Sequence, residues 1–231
     1  MRNKYFTFKQ FTVRHDLCAM KVGTDGVLLG ALADGGRSIL DIGTGTGLIA
    51  LMMAQRFPSS RVTGIDIDRD AVLQAQANVA ASPFASRIDI IHSDFADFDT
   101  GSTYDSITCN PPFFENGAPC PDTQRSIARH AEALPFSTLI AKAAQLLADN
   151  GTMTLIIPTD SLSRIEEECA FASLFISKRI YIRTVERKPP KRVVVCITKH
   201  RPAETTIAPH CLMRNGERSE WYSNVCKEFY L

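Results

Sequence analysis

The segment Asp41-Ile42-Gly43-Thr44-Gly45-Thr46-Gly47 constrains this chain more than any other. It follows a short apolar run at 38–42 and leads into 46–57, a stretch with helical length and composition. Glycine at every second position permits backbone angles closed to other residues and lets a ligand approach the main chain. In a sheet of parallel strands, such a turn stands outside a strand's carboxyl end, where ligands bind. The turn therefore asks for a strand before it, a helix after it and parallel strands beside it.

The rest of the chain supplies them. Apolar runs at 38–42, 61–67, 87–92, 104–109, 152–157, 175–186 and 192–199 read as seven strands. Helical stretches of about 10–15 residues separate most of them, the alternation of a doubly wound sheet. Only Lys188-Pro189-Pro190-Lys191 joins the last two, too short for a crossover, so these form an antiparallel hairpin. The expected fold class is α/β and Rossmann-like, with a mostly parallel seven-stranded sheet, a C-terminal antiparallel hairpin and helices on both faces. Residues 5–13 alternate with a phase slip near Gln10, as in a short strand with a bulge or turn. A possible strand at 205–213 and a helix capped by Ser219 end the chain. One domain over 1–231 is expected: an extension at 1–35, a core at 36–200 and a C-terminal strand and helix at 201–231.

Composition narrows the function classes. No run approaches the roughly 18 apolar residues of a membrane span, and the N-terminus has no long apolar leader. Seven cysteines, an odd number with no C-x-x-C pair, read as free thiols in a reducing cytoplasm, with no metal site. The formal net charge is only +1, but it is unevenly spread. Residues 1–177 hold 14 Lys and Arg against 20 Asp and Glu, whereas 178–201 hold nine against Glu186 alone. A basic segment on an acidic body suits phosphate contacts. Lys188, Lys191 and Arg192 are its candidate RNA-binding residues, with Gln10 of the N-terminal segment.

A dinucleotide site would read G-x-G-x-x-G and face a pyrophosphate. Here Gly43, Gly45 and Gly47 are spaced G-x-G-x-G and follow a carboxylate, Asp41. That combination repels phosphate and suits a cationic ligand such as S-adenosylmethionine, which carries an ammonium and a sulfonium. This disfavours a nicotinamide oxidoreductase. Asp66, at the end of the next strand with Ile67 after it, is placed to accept from both ribose hydroxyls. Asp94, followed by Phe95, is placed to accept from an adenine amino group.

Asn110-Pro111-Pro112-Phe113 follows the fourth strand. It resembles the [DNS]-P-P-[FYW] motif of methyltransferases that act on planar amino groups. Such a nitrogen is a poor nucleophile, because its lone pair is delocalised. The Asn110 side-chain oxygen and the Pro111 carbonyl would accept its two N–H bonds, and Phe113 would stack on the target base. Enzymes acting on adenine N6, guanine N2 and glutamine amides share the motif, so it leaves all three open, together with an idle RNA-binding module.

More of the chain narrows the choice. FTFKQFTVRHDLCAMKVGTDGVLLGA, NPPFFENG, IARHAEALPF and the terminal KEFYL together resemble the bacterial tRNA1(Val) (adenine-37 N6)-methyltransferase family. The resemblance implies a class I methyltransferase that uses S-adenosylmethionine and acts on tRNA; no membrane partner is expected, and the oligomeric state is open, with a monomer favoured. It implies that residues 21–26, with Lys21, Thr24 and Asp25, close over the cofactor. It also implies that Arg129 and His130 line the far side of the substrate pocket.

Overall fold

Buried β-branched runs pair into a sheet in the computed structural model, which describes residues 4–18, 21–111 and 134–231. In chain order the elements are β1 (Tyr5–Thr7), β2 (Thr12–Arg14), α1 (Thr24–Leu32), β3 (Ser38–Ile42), α2 (Leu48–Arg56), β4 (Arg61–Asp66) and α3 (Arg69–Ala80). They continue with β5 (Ile88–His92), β6 (Tyr104–Cys109), α4 (Phe136–Leu146), β7 (Leu147–Pro158), α5 (Leu162–Phe171) and β8 (Phe175–Val185). The last are β9 (Arg192–Thr198), β10 (Thr206–Arg214), β11 (Glu217–Arg218) and α6 (Glu220–Val225).

All seven expected strands lie in one sheet, and β8 and β9 form the expected antiparallel pair. Among the described residues that sheet has nine strands, in the order β11-β10-β8-β9-β7-β6-β3-β4-β5. The two additions come from the C-terminal segment. β10 lies parallel to β8, from Thr206 opposite Lys178 to Met213 opposite Val185, and β11 folds back on its end. An uncovered β8 would present a row of unpaired backbone groups, and β10 satisfies them.

Val193 and Val195 of β9 pack into the layer under α4 and α5. Val194 packs into the opposite layer, with α1, α2 and α6. Covering on both faces explains why this strand is continuously apolar. Asp68 caps α3 by accepting from the Asp70 amide at 2.9 Å, and Ser219 caps α6 by accepting from Tyr222 at 3.1 Å. No helix among the described residues is long and apolar enough to cross a membrane.

Strand direction decides what can reach the glycine turn. β3 to β8, together with β10, run the same way, and their carboxyl ends lie at one end of the sheet. β9 begins there, because Arg192 pairs with Pro158 at the end of β7. The basic loop at 186–191 is therefore on the same end as the glycine turn. The N-terminal hairpin differs. α2 and α3 start at the carboxyl end and so finish at the opposite one. Phe11 meets Phe84, just beyond α3, and the Lys9 amide donates to Phe229 O beside Glu228, which Gln55 holds near the end of α2. The turn carrying Gln10 thus sits at the amino end of the strands, away from the glycines.

Candidate active site

β3 has β4 on one side and β6 on the other, so the chain order reverses at β3. Ligands of open α/β sheets bind in the crevice at this switch point. Ile42 pairs with Cys109, so Gly43 and Asn110 are the next residues on adjacent parallel strands. The two motifs read from sequence, 67 positions apart (110 − 43), meet there.

The glycine turn needs its residue types. Gly43, Gly45 and Gly47 have φ of 66°, 56° and 79°, in the left-handed region that side chains avoid. A Cβ on Gly43 would meet nothing within 4 Å, and one on Gly45 only the Gly43 carbonyl at 3.9 Å. The main chain is thus open to a ligand on that side. Gly47 is closed in, since a Cβ there would lie 3.3 Å from Ala75 Cβ.

Asp41 is fully buried beneath the turn. It accepts from Thr44 Oγ1 at 2.7 Å and Thr108 Oγ1 at 2.9 Å. Burial pushes its carboxyl up to about 7; the two hydroxyls oppose the shift and the Asp66 charge adds to it. Asp41 is therefore an anchor of the turn, with only a through-space influence on a bound cation. Asp66 reaches the turn from the other side. Its Oδ2 accepts from the Gly45 amide at 2.8 Å and its Oδ1 from the Asp68 amide at 2.9 Å. Each oxygen keeps a lone pair for a ribose hydroxyl. Burial raises this carboxyl too, against those hydrogen bonds.

Ile67 is 51% exposed, an apolar surface beside Asp66. Asp94 is exposed, with Oδ1 accepting from the Ala96 amide at 2.9 Å. Phe95 buries its ring in the core with Ile42 and Ile65, so its side chain is structural and only its backbone can meet a ligand. Asn110 is half-buried and Pro111 buried.

Lys21 and Thr24 are exposed at the start of α1. α1 packs tightly on α2 through its glycines: a Cβ on Gly26 would lie 3.1 Å from Leu48, and one on Gly30 2.8 Å from Met52. Leu48 follows Gly47, so this packing brings the start of α1 beside the turn. Lys188 and Lys191 are exposed in the loop at the catalytic end. Arg192, expected to hold RNA, has another partner: its Nε donates to Asp25 Oδ2 at 2.8 Å. Gln10 belongs to the hairpin turn at the far end. Alternation at 5–13 reads as one short strand with a bulge or turn; the phase slip is the turn of a two-strand hairpin, and the pattern carries no signal of where that hairpin docks. Pro112, Phe113, Arg129 and His130 lie outside the described residues.

Open backbone over two left-handed glycines, a carboxylate with spare acceptor capacity and a neighbouring exposed isoleucine fit a nucleoside that carries positive charge. The amino end of α2 opens directly onto the buried carboxylate of Asp41, which accepts from the Ala50 amide and would repel a diphosphate. No cluster of three or more metal-ligating side chains occurs among the described residues. Sequence reasoning missed Thr44, Thr108 and the Asp25–Arg192 pair. Thr44 lies three residues after Asp41, a spacing from which the bond could have been read, whereas Thr108 and Arg192 reach their partners across strands and elements and leave no local trace.

Comparison with known proteins agrees with this geometry. Residues 20–168 match the methyltransferase small domain model. The chain is 43% identical over 236 residues to a tRNA1(Val) (adenine(37)-N6)-methyltransferase of Bacteroides thetaiotaomicron, covering 100% of this chain and 99% of that protein. It is 46% identical to the protein of the same name from Phocaeicola vulgatus, at the same coverage, and 38% to that from Tolumonas auensis, covering 98% and 96%. Among solved structures, an Agrobacterium tumefaciens protein described as a predicted O-methyltransferase superposes with a TM-score of 0.66 at 17% identity, covering 89% of this chain and 96% of that one. Fold, glycine turn, NPPF motif and full-length likeness converge: the chain belongs to the tRNA1(Val) (adenine(37)-N6)-methyltransferase family of class I methyltransferases.

Proposed function

We propose that this protein transfers a methyl group from S-adenosylmethionine to N6 of adenine 37 in the anticodon loop of tRNA1(Val). The observation that carries the reading is the adjacency of Gly43 and Asn110 at the switch point, in a chain like those relatives from end to end.

The residues divide the work. Asp66 receives the ribose hydroxyls, Ile67 and the backbone at Phe95 border the adenine of the cofactor, and Asp94 accepts from its amino group. Lys21 and Thr24 cover the site from α1. Bound S-adenosylmethionine supplies an activated methyl group on a good leaving group. Asn110 Oδ1 and the Pro111 carbonyl accept the two N–H bonds of the target N6, which draws its lone pair out of conjugation and aims it. Pro112 stiffens this turn and Phe113 stacks on the extruded base. Positioning and oriented dipoles supply the catalysis, without a general base before methyl transfer. Lys188 and Lys191 hold phosphates, and Arg129 and His130 border the substrate pocket. Bases in an anticodon loop are partly unstacked, which lowers the cost of extrusion.

Incubation with labelled S-adenosylmethionine and, separately, total tRNA, ribosomal RNA and release factors tests the reading. Label is expected in tRNA. Label confined to ribosomal RNA or to a release factor would replace it with guanine N2 or glutamine methylation.

A further inference from the structure

At the outer side of β8 and β10 lies a cleft of about 340 Å³, remote from the glycine turn. Arg183 and Glu186 reach it from the end of β8, His210 and Arg214 from β10, and Trp221 from α6. His210 and Trp221 are stacked, with ring centroids 4.2 Å apart and planes within 4°. Burial and the nearby Lys178 charge lower the His210 pKa, which favours a neutral ring at this flat surface.

The charges in the cleft are unequally satisfied. Arg214 Nε donates to Glu186 Oε1 at 2.8 Å, which neutralises that carboxylate. Arg183 donates only to the Glu186 backbone carbonyl, at 3.4 Å, and its Nε is buried with no hydrogen-bond partner among the described residues. Glu220 is the remaining acid of the lining. Among the described residues, the guanidinium of Arg183 thus stands in the cleft with no carboxylate bound to it.

The cleft is also placed to meet RNA. β10 is four strand steps from β6, through β8, β9 and β7. At ~4.8 Å per step the cleft lies roughly 19 Å from the NPPF strand. That is a span of about six nucleotides at ~3.4 Å each along a stacked strand. The carboxyl ends of β8 and β10 face the catalytic end, and exposed Arg187, Lys188 and Lys191 lie between. A flat aromatic pair, an unsatisfied guanidinium and a basic strip leading to the reaction site are the elements that bind unpaired RNA.

We propose that this cleft is a second RNA subsite: an unpaired nucleotide of the substrate stacks on the His210–Trp221 pair and its phosphate meets Arg183, while the target base lies at Asn110. The inference rests on the tRNA reading above and extends it from one base pocket to a two-point grip on one RNA arm. Such a grip selects RNA by the distance between two unpaired bases, which the NPPF pocket alone cannot measure.

Trp221 is the only tryptophan in the chain, so its fluorescence reports on this cleft. The full-length protein with S-adenosylhomocysteine is titrated with an unmodified stem-loop RNA carrying the target adenine. Trp221 emission is followed beside the anisotropy of the labelled RNA and methyl incorporation, with free tryptophan as the control for absorbance. Emission should be quenched and saturate together with anisotropy. Arg183→Gln should weaken RNA binding about tenfold and lower the salt slope by ~0.7, without moving S-adenosylhomocysteine affinity. His210→Ala, which leaves Trp221 on its helix, should weaken RNA binding similarly, and Arg183→Lys should restore part of the loss. RNA that is bound and methylated normally while Trp221 stays silent and Arg183→Gln keeps the wild-type KM would overturn the subsite and leave the cleft to a protein partner. RNA that quenches Trp221 but takes no methyl group would support the subsite and overturn the substrate assignment instead.

Discussion

The Arg192 guanidinium holds Asp25 at 2.8 Å, tying the first turn of α1 to the start of β9 across 167 positions of sequence. Both side chains are about three-quarters buried. The pair fixes the first turn of α1, the turn that Gly26 packs against Leu48 beside the glycines. Arg192→Ala and Asp25→Asn should each lower stability by about 1 kcal/mol and weaken S-adenosylhomocysteine several-fold. The double variant should lose little more than either single one. Calorimetry on the four proteins measures this coupling; strictly additive losses would show that the two side chains act independently, and unchanged affinity would separate the pair from cofactor binding.

Asp66 holds the turn through the Gly45 amide and is proposed to receive the ribose, and two substitutions separate these roles. Asp66→Asn keeps an acceptor for the Gly45 amide but loses charge and one acceptor. Asp66→Ala loses both, and should cost about 2 kcal/mol of S-adenosylhomocysteine affinity, the weight of hydrogen bonds to a charged group. The asparagine variant should fall between alanine and wild type. Wild-type affinity in a folded Asp66→Ala would remove the ribose assignment.

Asp41 should make the protein sensitive to pH. Its carboxyl titrates at about 7 in the fold, against 3.8 for the ordinary carboxyl, because burial disfavours the charge. The folded form binds the proton more tightly, so this contribution to stability is fully present below pH 3.8 and is lost as pH rises toward 7. A cation lodged at the glycine turn favours the ionised form. S-adenosylmethionine affinity should therefore rise with pH up to about 7 and level off, and Asp41→Asn should flatten the rise. The readout is a binding series in constant ionic strength. Identical profiles for the two proteins would show that Asp41 does not change protonation on binding.

Much of this site is legible in the sequence because its chemistry is local. The glycine motif and the NPPF motif each announce themselves within a few residues, and the strand alternation places both after the carboxyl ends of strands. What is not legible is long-range. β10 reads as a strand from its own pattern, but its pairing with β8 depends on an edge left open elsewhere. The extended segment at 5–13 is visible, yet its folding into a hairpin and its docking on Phe84 and Phe229 are fixed by packing between distant segments, which carries Gln10 away from the active end. Arg192 reads as a phosphate ligand from its basic surroundings, and nothing local shows that Asp25 lies beside it.

That pairing changes how the basic loop must be tested. Lys188 and Lys191 are exposed at the catalytic end. Replacing both with alanine should raise KM for tRNA and lower its salt slope by about 0.7–0.9 for each phosphate that is no longer neutralised. Melting should hardly move, since exposed charges contribute little to folding. Arg192 stays in place, because removing it would also disturb α1. An unchanged salt slope would assign the loop to solvent.

Asn110, one strand over from Gly43, is the residue expected to direct the methyl group to one adenine nitrogen. Unmodified tRNA1(Val) is incubated with S-adenosylmethionine and either the wild-type protein or Asn110→Ala, then digested and mapped by mass spectrometry. Wild type should yield a single N6-methyladenosine, at position 37. Asn110→Ala should yield almost none while binding S-adenosylhomocysteine within several-fold of wild type, because the missing interaction acts in the transition state. A methyl group at another position or on another base, or undiminished turnover in Asn110→Ala, would contradict this role.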